Sequence, residues 1–281
     1  MTGLRTRVAA RLTAALTLLF CTLSAAERPN VVVLVVDDAG FSDFGAYGSE
    51  IRTPHIDSLA QRGKIFSNFH VAPVCAPTRA MLMTGVYSHR AGVGNLPETL
   101  PIEHEGHHAY LGRLNDEVIT MGELLGADGY RTYITGKWHL GHTADTLPVA
   151  RGFDRSFILD ASGADNWEDR PYLAYYDRAP WFEDDHEASL PDDFYSSEFL
   201  VDRMIDYLAE DADSDAPFLA FVGFLAVHIP VQAPREFTQR YAGVYDDGWE
   251  PIRQARFERT RALGLIPEGA ELGPMPDGLT E

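Results

Sequence analysis

The chain has 281 residues, of which 45% are hydrophobic and 11% are aromatic, and this composition excludes an intrinsically disordered protein. The length suits one large α/β domain or two small ones. The formal net charge of -19 argues against a nucleic-acid-binding protein and repels anionic ligands at long range. A site for an anion must therefore obtain its attraction from local cations or from a metal ion.

The first 26 residues have the pattern of a secretory signal peptide. An apolar run from Leu12 to Leu23 precedes the small residues Ser24-Ala25-Ala26, and it follows three basic residues, Arg5, Arg7 and Arg11. The run is too short for a stable membrane span, and Phe20 before Cys21 argues against a lipoprotein signal. We therefore predict a signal peptide over residues 1–26, secretion or export to the periplasm, and a mature domain over residues 27–281 with Cys75 as its single cysteine.

Four elements are predicted in the first part of the mature chain. A continuous β-branched run, Val31 to Val36, indicates a strand buried on both faces of a parallel sheet. A helix is predicted from Thr53-Pro54 to Gly63, because proline suits the first helical position and glycine the end. We predict a strand from Lys64 to His70, followed by a short helix from Cys75 to Thr84.

The later part of the sequence continues the alternation of helices and strands. A capping box at Thr120-Met121-Gly122-Glu123 opens a helix, and a strand follows over residues 131–135. Residues 142–195 have the composition of a long insertion with little regular structure. Apolar residues recur at helical spacing from Ser196, and a buried strand spans 217–225. This order predicts an α/β fold with a mixed, mostly parallel sheet flanked by helices on both faces.

Polar residues follow three of the predicted strands at the point where each strand ends. Asp37-Asp38 follow the first strand, Lys137-Trp138-His139 follow a later one, and His228 follows the last. The carboxyl ends of parallel strands share one edge of the sheet, so we expect these side chains to lie close together. Two adjacent carboxylates at such an edge suit a hard cation, Ca²⁺ or alternatively Mg²⁺, although an aspartate pair that caps a turn is another interpretation.

Lys137 and His139 flank Trp138, so in an extended segment both side chains point to the same side. A lysine neutralises charge on a bound anion, and a histidine transfers a proton or donates a hydrogen bond. The plainer interpretations are a solvated loop anchored by Trp138 and, for His228, a histidine of the core.

Cys75-Ala76-Pro77-Thr78-Arg79 places the cysteine at a helix N-terminus, where backbone N–H groups and the helix dipole favour an anion. Arg79 lies one turn further along and adds positive charge on the same face. This arrangement suits a nucleophile that acts on an anionic ester. The alternative is a small buried residue that precedes a helix.

Together these motifs resemble the type I sulfatase family of the alkaline phosphatase-like superfamily, and bacterial arylsulfatases in particular. The resemblance runs from about Arg28 to near the C-terminus. In chain order the matching segments are Arg28-Pro29-Asn30, Asp37 to Asp43, Thr53 to Asp57, Cys75 to Arg79, Gly136 to Gly141, Arg151 to Asp154 and the segment at His228. The resemblance implies an arylsulfatase-like sulfuric ester hydrolase that acts on a small-molecule sulfate ester.

The resemblance also implies the nucleophile and its metal ion. A sulfatase-maturing enzyme would oxidise Cys75 to formylglycine, which would serve as nucleophile and as metal ligand. Asp37 and Asp38 would bind the calcium ion. Arg79 would hold and stabilise the formylglycine hydrate.

Three further roles follow from the same resemblance. Lys137 and His228 would bind the sulfate oxygens and assist the leaving group, and His139 would take a proton from the hydrate to drive elimination of the enzyme-bound sulfate. Cations around the sulfuryl group offset its developing charge. A geminal diol gives a covalent sulfate ester that collapses back to the aldehyde without attack of water on sulfur.

The sequence departs from the family pattern after His228. Family members carry two further calcium ligands and another sulfate-binding lysine beyond this point, and no such segment follows here. The resemblance therefore implies that residues 27–281 are the N-terminal part of a sulfatase catalytic domain, without the C-terminal strands and subdomain. Half a metal site would bind Ca²⁺ weakly, and a sheet without those strands would expose an apolar edge, which places the activity of the isolated chain in question.

Two other functions fit part of the pattern. A phosphoester or phosphonate hydrolase of the same superfamily can share the formylglycine and metal arrangement, although Gly136 to His139 favours sulfate. A non-catalytic secreted fragment would keep Cys75 unmodified. Comparing rates on aryl sulfate and aryl phosphate esters separates the first alternative, and the mass of the peptide that contains residue 75 addresses the second.

Overall fold

A computed structural model describes residues 28–275, so the predicted signal peptide over residues 1–26 lies outside the described residues. The central element is a six-stranded sheet with the order β1-β6-β2-β3-β4-β5. Its strands are β1 Val31–Val35, β2 Arg131–Lys137, β3 Arg155–Leu159, β4 Trp181–Glu183, β5 His186–Glu187 and β6 Phe218–Gly223. The α-helices are α1 Pro54–Arg62, α2 Cys75–Thr84, α3 Met121–Ala127, α4 Ser196–Glu210, α5 Arg235–Gln239 and α6 Trp249–Ala262.

The sheet is mixed and mostly parallel, as the sequence predicts. β1, β6, β2 and β3 are parallel neighbours, whereas β4 and β5 are antiparallel. The register aligns Val35 of β1 with Gly223 of β6, and Gly223 in turn with Gly136 of β2. The carboxyl ends of these three strands therefore meet at one edge of the sheet, where the candidate site residues are expected.

Helices cover both faces of the sheet, which confirms the predicted fold class. On one face, α2 and α3 pack on a core that includes Ala76, Ala80, Met83, Ile134, Ile158, Leu219 and Phe221. On the other face, α4 packs on a core that includes Tyr133, Phe157, Leu200, Met204, Tyr207, Ala220 and Val222. Neighbouring residues of β2 and β6 alternate between the two cores, as the period of a strand requires.

Two helix signals of the sequence are confirmed by their hydrogen bonds. The N–H of Glu123 donates to the Thr120 hydroxyl at 3.0 Å, and the Glu123 carboxylate accepts from the Thr120 N–H at 2.7 Å, which completes the capping box. Gly85 ends α2 with a φ of 70°, and its N–H donates to the carbonyl of Met81. A left-handed φ of this kind favours glycine, so the sequence locates the end of α2 correctly.

The prediction that the first strand is buried on both faces is wrong. β1 lies at the edge of the sheet, and its side chains alternate between partly buried and exposed. Val32 and Leu34 are 58% and 52% exposed, on the face where α4 packs against β2, β3 and β6. A β-branched run therefore does not by itself prove burial on both faces.

Two other expectations need correction. Lys64 to His70 contain no strand and their side chains are exposed, and no strand among residues 28–275 pairs with them. Residues 142–195 are more regular than expected, since they contain β3, β4, β5 and a short 3-10 turn over Pro148–Arg151. β3 follows a segment rich in polar residues, and only its pairing with β2 reveals it as part of the central sheet.

Helix α6 is tied to the segment that follows β1 by a group of charged contacts. Arg256 donates to the Glu50 carboxylate at 2.7 Å and to Asp43 at 2.6 Å, and Thr260 donates to the Tyr47 carbonyl at 2.7 Å. These bonds join residues more than 200 positions apart in the chain.

None of the helices within residues 28–275 has the length and apolar character needed to cross a bilayer.

Candidate active site

The candidate site lies where the carboxyl ends of the parallel strands meet the N-terminus of α2. Asp37 follows β1, Lys137 is the last residue of β2, and Cys75 is the first residue of α2. Gly136 is needed here, because a Cβ on it would lie 1.9 Å from the Gly223 carbonyl oxygen. This close approach of two backbones brings the ends of β2 and β6 together beneath the site.

Asp37, Lys137 and Arg79 form a buried cluster of charges. The Lys137 ammonium donates to one Asp37 oxygen, and Nη2 of Arg79 lies 3.7 Å from the other. Nη1 of Arg79 donates to the Lys137 carbonyl at 2.6 Å. Burial lowers the pKa of Arg79, and the Asp37 carboxylate opposes this shift. The cluster thus places two cations and one carboxylate out of contact with water.

Arg79 has hydrogen-bond donors that are not paired with an acceptor among the described residues. Among the described residues, its buried Nε and Nη2 atoms find no hydrogen-bond acceptor within hydrogen-bonding distance. Buried donors without acceptors are uncommon in folded proteins and carry a free-energy cost. Since a guanidinium can only donate, these atoms suit an anionic group held beside Cys75.

Cys75 contacts His139 beside this charged cluster. The Cys75 Sγ lies 3.5 Å from Nδ1 of His139, and the cysteine is a free thiol that is neither fully buried nor fully exposed. Burial raises the pKa of Cys75, but the hydrogen bond to His139 and the charge of Lys137 outweigh it, so that the pKa lies below its usual value. The thiol is therefore in an electropositive setting that suits a reactive residue.

His139 reaches Cys75 by a route that the sequence did not predict. We expected an extended segment in which Lys137 and His139 share a side, but β2 ends at Lys137 and His139 has a φ of 58°. Lys137 therefore turns to Asp37, while His139 turns to Cys75. Trp138 between them is buried, and its indole N–H donates to the Gly141 and Thr146 carbonyls at 3.1 Å. The tryptophan anchors the turn, and both flanking residues still face the site.

Glu98 is a site residue that the sequence analysis missed. Both of its carboxylate oxygens lie 3.0 Å from Nε2 of His139. Burial raises the pKa of Glu98, but the hydrogen bond and charge of His139 lower it to about 2. Burial lowers the pKa of His139, and its hydrogen bonds to Cys75 and Glu98 raise it overall. Glu98 lies in a 3-10 turn after Pro97, without a periodic pattern that points to a site.

Asp38 and His228 form a second, more open part of the site. Asp38 has a φ of 58°, and its side chain is 58% exposed. Nε2 of His228 lies 3.8 Å from Asp38 and 3.4 Å from the Ser162 hydroxyl. A Cβ on Gly163 would approach Nδ1 of His228 to 2.9 Å, so a larger residue there would displace the imidazole. His228 thus lies beside the candidate site and is not a histidine of the apolar core.

The metal site expected from the sequence is only partly assembled by the described residues. Residues 28–275 contain no group of three or more His, Cys, Asp or Glu side chains placed to hold one metal ion. Carboxylate oxygens have the right chemistry for Ca²⁺, but this ion takes about six to eight oxygen ligands. Lys137 also occupies one of the two Asp37 oxygens. The donor type fits a calcium ion, whereas the number of donors does not complete its shell.

Comparison with known proteins identifies relatives of this chain. The family model described as Sulfatase matches residues 29–264. The chain is 36% identical to an arylsulfatase of Klebsiella aerogenes over 88% of this chain and 53% of that protein. It is 37% identical to an uncharacterized sulfatase of Schizosaccharomyces pombe, over 90% of this chain and 47% of that protein.

A solved structure shares the fold as well. The crystal structure of Ps i-CgsB superimposes with a TM-score of 0.65 and 27% identity, over 85% of this chain and 54% of that one. The chain spans about half the length of the curated relatives that it matches. The family match covers most of the sequence, including every residue of the candidate site. The chain therefore belongs to the sulfatase family.

Proposed function

We propose that this chain carries the catalytic centre of an arylsulfatase-type sulfuric ester hydrolase. The supporting observation is that Cys75, at the N-terminus of α2, adjoins Arg79, Lys137 and His139, two cations and a histidine buried together. A buried cation with unpartnered donors, such as Arg79, suits an anionic substrate group. The family relation to the Klebsiella aerogenes arylsulfatase favours sulfate as that group.

The proposed nucleophile is a formylglycine made from Cys75 by a sulfatase-maturing enzyme. Formylglycine would supply a hydrated aldehyde, of which one hydroxyl bonds to sulfur as the ester alcohol leaves, and the other later loses its proton as the aldehyde re-forms and sulfate departs. The partial exposure of Cys75 leaves the residue open to a substrate. Its position at the first turn of α2 directs backbone N–H groups and the positive end of the dipole towards the attacking oxygen.

Four other residues would bind the reacting groups or transfer a proton. Arg79 would hold the oxygens on residue 75 with its unpartnered Nε and Nη2 donors. Lys137 and His228 would bind the sulfate oxygens and offset the charge that develops as the bond from sulfur to the leaving oxygen breaks. His139 would accept a proton at Nδ1, the ring nitrogen that faces residue 75.

Asp37 and Asp38 would hold a calcium ion, with Mg²⁺ as the alternative, and residue 75 would be a further ligand. The ion would supply positive charge close to the sulfuryl oxygens. Two carboxylates supply fewer oxygen ligands than Ca²⁺ usually takes, and Lys137 competes with the ion for the Asp37 carboxylate. We therefore expect the described residues alone to bind the ion weakly. Isothermal titration of the chain with calcium chloride, repeated with Asp37→Asn, measures this affinity.

We also propose that the protein is secreted or periplasmic through cleavage of the signal peptide over residues 1–26. The pattern of basic, apolar and small residues there supports this location. Expression with the native N-terminus and mass analysis of the mature chain tests it. A mature N-terminus at Glu27 is expected, and retention of residues 1–26 on the exported or cell-associated protein would contradict it.

The decisive experiment is hydrolysis of 4-nitrophenyl sulfate by the 281-residue chain, co-expressed with a sulfatase-maturing enzyme and supplied with calcium. We expect slow, calcium-dependent release of 4-nitrophenol that is lost in Cys75→Ala. Peptide mass analysis establishes whether residue 75 is formylglycine. Absence of turnover with residue 75 converted would overturn catalysis by this chain and favour an incomplete enzyme, whereas an unmodified Cys75 would favour the non-catalytic secreted fragment.

The same preparation tests the rival phosphoester or phosphonate hydrolase. Rates on 4-nitrophenyl sulfate and 4-nitrophenyl phosphate are compared at equal enzyme concentration. We expect the sulfate ester to react faster, since Lys137 and His139 match the sulfatase pattern. A higher kcat/KM on the phosphate ester would overturn the assignment of sulfate as the substrate group.

A further inference from the structure

The carboxylate of Glu98 is aimed at the ring nitrogen of His139 that faces away from Cys75. Nε2 lies 3.0 Å from each Glu98 oxygen, while Nδ1 lies 3.5 Å from the Cys75 Sγ. The Glu98 side chain is 3% exposed and that of His139 is 2% exposed. The imidazole is thus held between a carboxylate on one side and the proposed nucleophile on the other.

Two further donors fix the orientation of Glu98. The Ser162 N–H donates to Oε1 at 3.0 Å, and the Tyr176 hydroxyl donates to the same oxygen at 3.2 Å. Burial and the charge of Glu98 raise the pKa of Tyr176, so this hydroxyl stays a donor. Ser162 follows β3, which is part of the central sheet, so the carboxylate is anchored to a rigid element.

The pairing decides where the imidazole carries hydrogen. Glu98 is ionised at neutral pH and can only accept hydrogen bonds. Nε2 of His139 must therefore carry a hydrogen whether the ring is neutral or cationic. This leaves Nδ1, the nitrogen 3.5 Å from the Cys75 Sγ, as the ring atom available to the group at position 75.

We propose that Glu98, held by Ser162 and Tyr176, is a positioning residue that keeps the Nε2–H tautomer of His139 and points the free Nδ1 lone pair at residue 75. This role rests on the proposed function, in which Nδ1 accepts a proton from the group at position 75. Glu98 acts through His139 and touches neither the substrate group nor Cys75. A carboxylate that orients a histidine in this way also resists rotation of the ring, which keeps Nδ1 at the reacting group.

Glu98→Gln is the sharpest test, because the glutamine amide has nearly the same shape as the carboxylate. It replaces one of the two hydrogen-bond acceptor oxygens with an N–H donor. Ser162 and Tyr176 both donate to Oε1, so the amide oxygen is expected to take that position. The amide N–H group then faces Nε2 of His139 and favours a bare Nε2, which moves the hydrogen to Nδ1. The variant therefore removes the proton acceptor from the side of residue 75.

The first readout is nitrogen NMR of the imidazole rings in the chain with unconverted Cys75, which requires no enzymatic activity. The His139 signals are assigned by their absence in His139→Asn. We expect Nε2 of the wild-type ring to remain protonated across the neutral pH range, and Nε2 of Glu98→Gln to lose its hydrogen in the neutral ring. A wild-type ring with hydrogen on Nδ1 and a bare Nε2, or identical signals in the two proteins, would overturn the proposal.

The second readout is steady-state hydrolysis of 4-nitrophenyl sulfate. We expect Glu98→Gln to lower kcat by about 10–100-fold with KM changed by less than about 2-fold, since orientation of the proton acceptor is lost and sulfate binding is kept. Glu98→Asp, which keeps the charge, is expected to recover part of kcat. Glu103→Gln, an exposed glutamate in the next 3-10 turn, is the matched control and should leave kcat unchanged.

Failure of this proposal is distinguishable from failure of the proposed function. If the wild-type chain has no sulfatase activity, the NMR result alone decides the role of Glu98. If Glu98→Gln does not fold by circular dichroism, Tyr176→Phe takes its place, since it removes one donor to Glu98 and should lower kcat in the same direction by a smaller factor. An active Tyr176→Phe with wild-type kcat and wild-type His139 signals would then contradict the proposal.

Discussion

Lys137 pairs with Asp37 across the end of β6, although Lys137 ends β2 and Asp37 follows β1, two strands that are not neighbours in the sheet. The lysine side chain is fully buried and the aspartate nearly so. A buried charge without its partner is strongly unfavourable, because burial removes the water that would solvate it. The pair therefore links the proposed catalytic centre to the stability of the fold.

Lys137→Met is expected to lower the free energy of unfolding by about 3–5 kcal/mol, since it leaves Asp37 buried with only the more distant Arg79 guanidinium beside it. Urea denaturation followed by circular dichroism measures the change. Lys64→Met, at an exposed lysine, is the matched control and should cost less than about 0.5 kcal/mol. Equal stability of the two variants would show that Asp37 does not depend on Lys137.

The contact of β2 with β6 gives a second prediction. Gly136 has a φ of 92°, and a Cβ there would meet the Gly223 carbonyl at 1.9 Å. Gly136→Ala should therefore destabilise the fold by about 3 kcal/mol or more, through strain and a backbone clash. Gly126→Ala in α3 is the control, because its Cβ finds only ordinary contacts at 3.7 Å and helix propensity favours alanine by up to about 1 kcal/mol. Thermal unfolding of both variants separates the two sites, and similar melting temperatures would contradict the close approach.

The contact between α6 and Glu50 predicts a dependence of stability on pH. The hydrogen bond from Arg256 lowers the pKa of Glu50 from 4.5 to about 2, against the opposing effect of burial. Because the folded state holds this proton less tightly than the unfolded chain, the stabilisation is complete above pH 4.5 and is lost as the pH falls towards 2.

Glu50→Gln should accordingly lower the free energy of unfolding by about 1–3 kcal/mol at neutral pH, and the difference from the wild type should shrink below pH 4.5. Urea unfolding at a series of pH values measures both proteins. Glu268→Gln, at an exposed glutamate, controls for the loss of one negative charge. A difference between Glu50→Gln and wild type that stays constant down to the acidic end of the series would rule out this linkage.

The sequence predicted the parts of the site that lie at regular positions of the fold. Asp37 and His228 follow strands, Lys137 ends one, and Cys75 begins a helix, so periodicity and strand order bring them to one edge. Glu98 was not predicted because its role comes from a contact with His139, 41 residues away in the sequence. It lies in a 3-10 turn, where no periodic pattern of apolar residues marks its position. The left-handed turn at His139 was likewise not predicted, since only a small percentage of non-glycine residues adopt that conformation.

For the fold, as for the site, regular local patterns were predicted correctly and features that depend on tertiary contacts were not. The alternation of strands and helices gave the mixed sheet, and the capping box at Thr120 gave the start of α3. The position of β1 at the sheet edge could not be predicted from its own residues, because a β-branched run has the same composition in the centre and at the edge. Burial of such a run depends on which helix covers it, and that is settled only by tertiary packing.

The exposed face of β1 gives the last prediction, a comparison of two leucines in the paired strands β1 and β6. Leu34 of β1 is 52% exposed, whereas Leu219 of β6 is fully buried in the core beside α2 and α3. Truncation to alanine removes the same atoms at both positions, so the difference in unfolding free energy reports burial. Leu219→Ala should cost about 2–5 kcal/mol, because it leaves a cavity among well-packed neighbours. Leu34→Ala should cost about 1 kcal/mol or less, since half of its side chain already contacts water. Urea denaturation of the purified chain compares the two, and a cost at Leu34 equal to that at Leu219 would mean that this face of β1 is covered in solution.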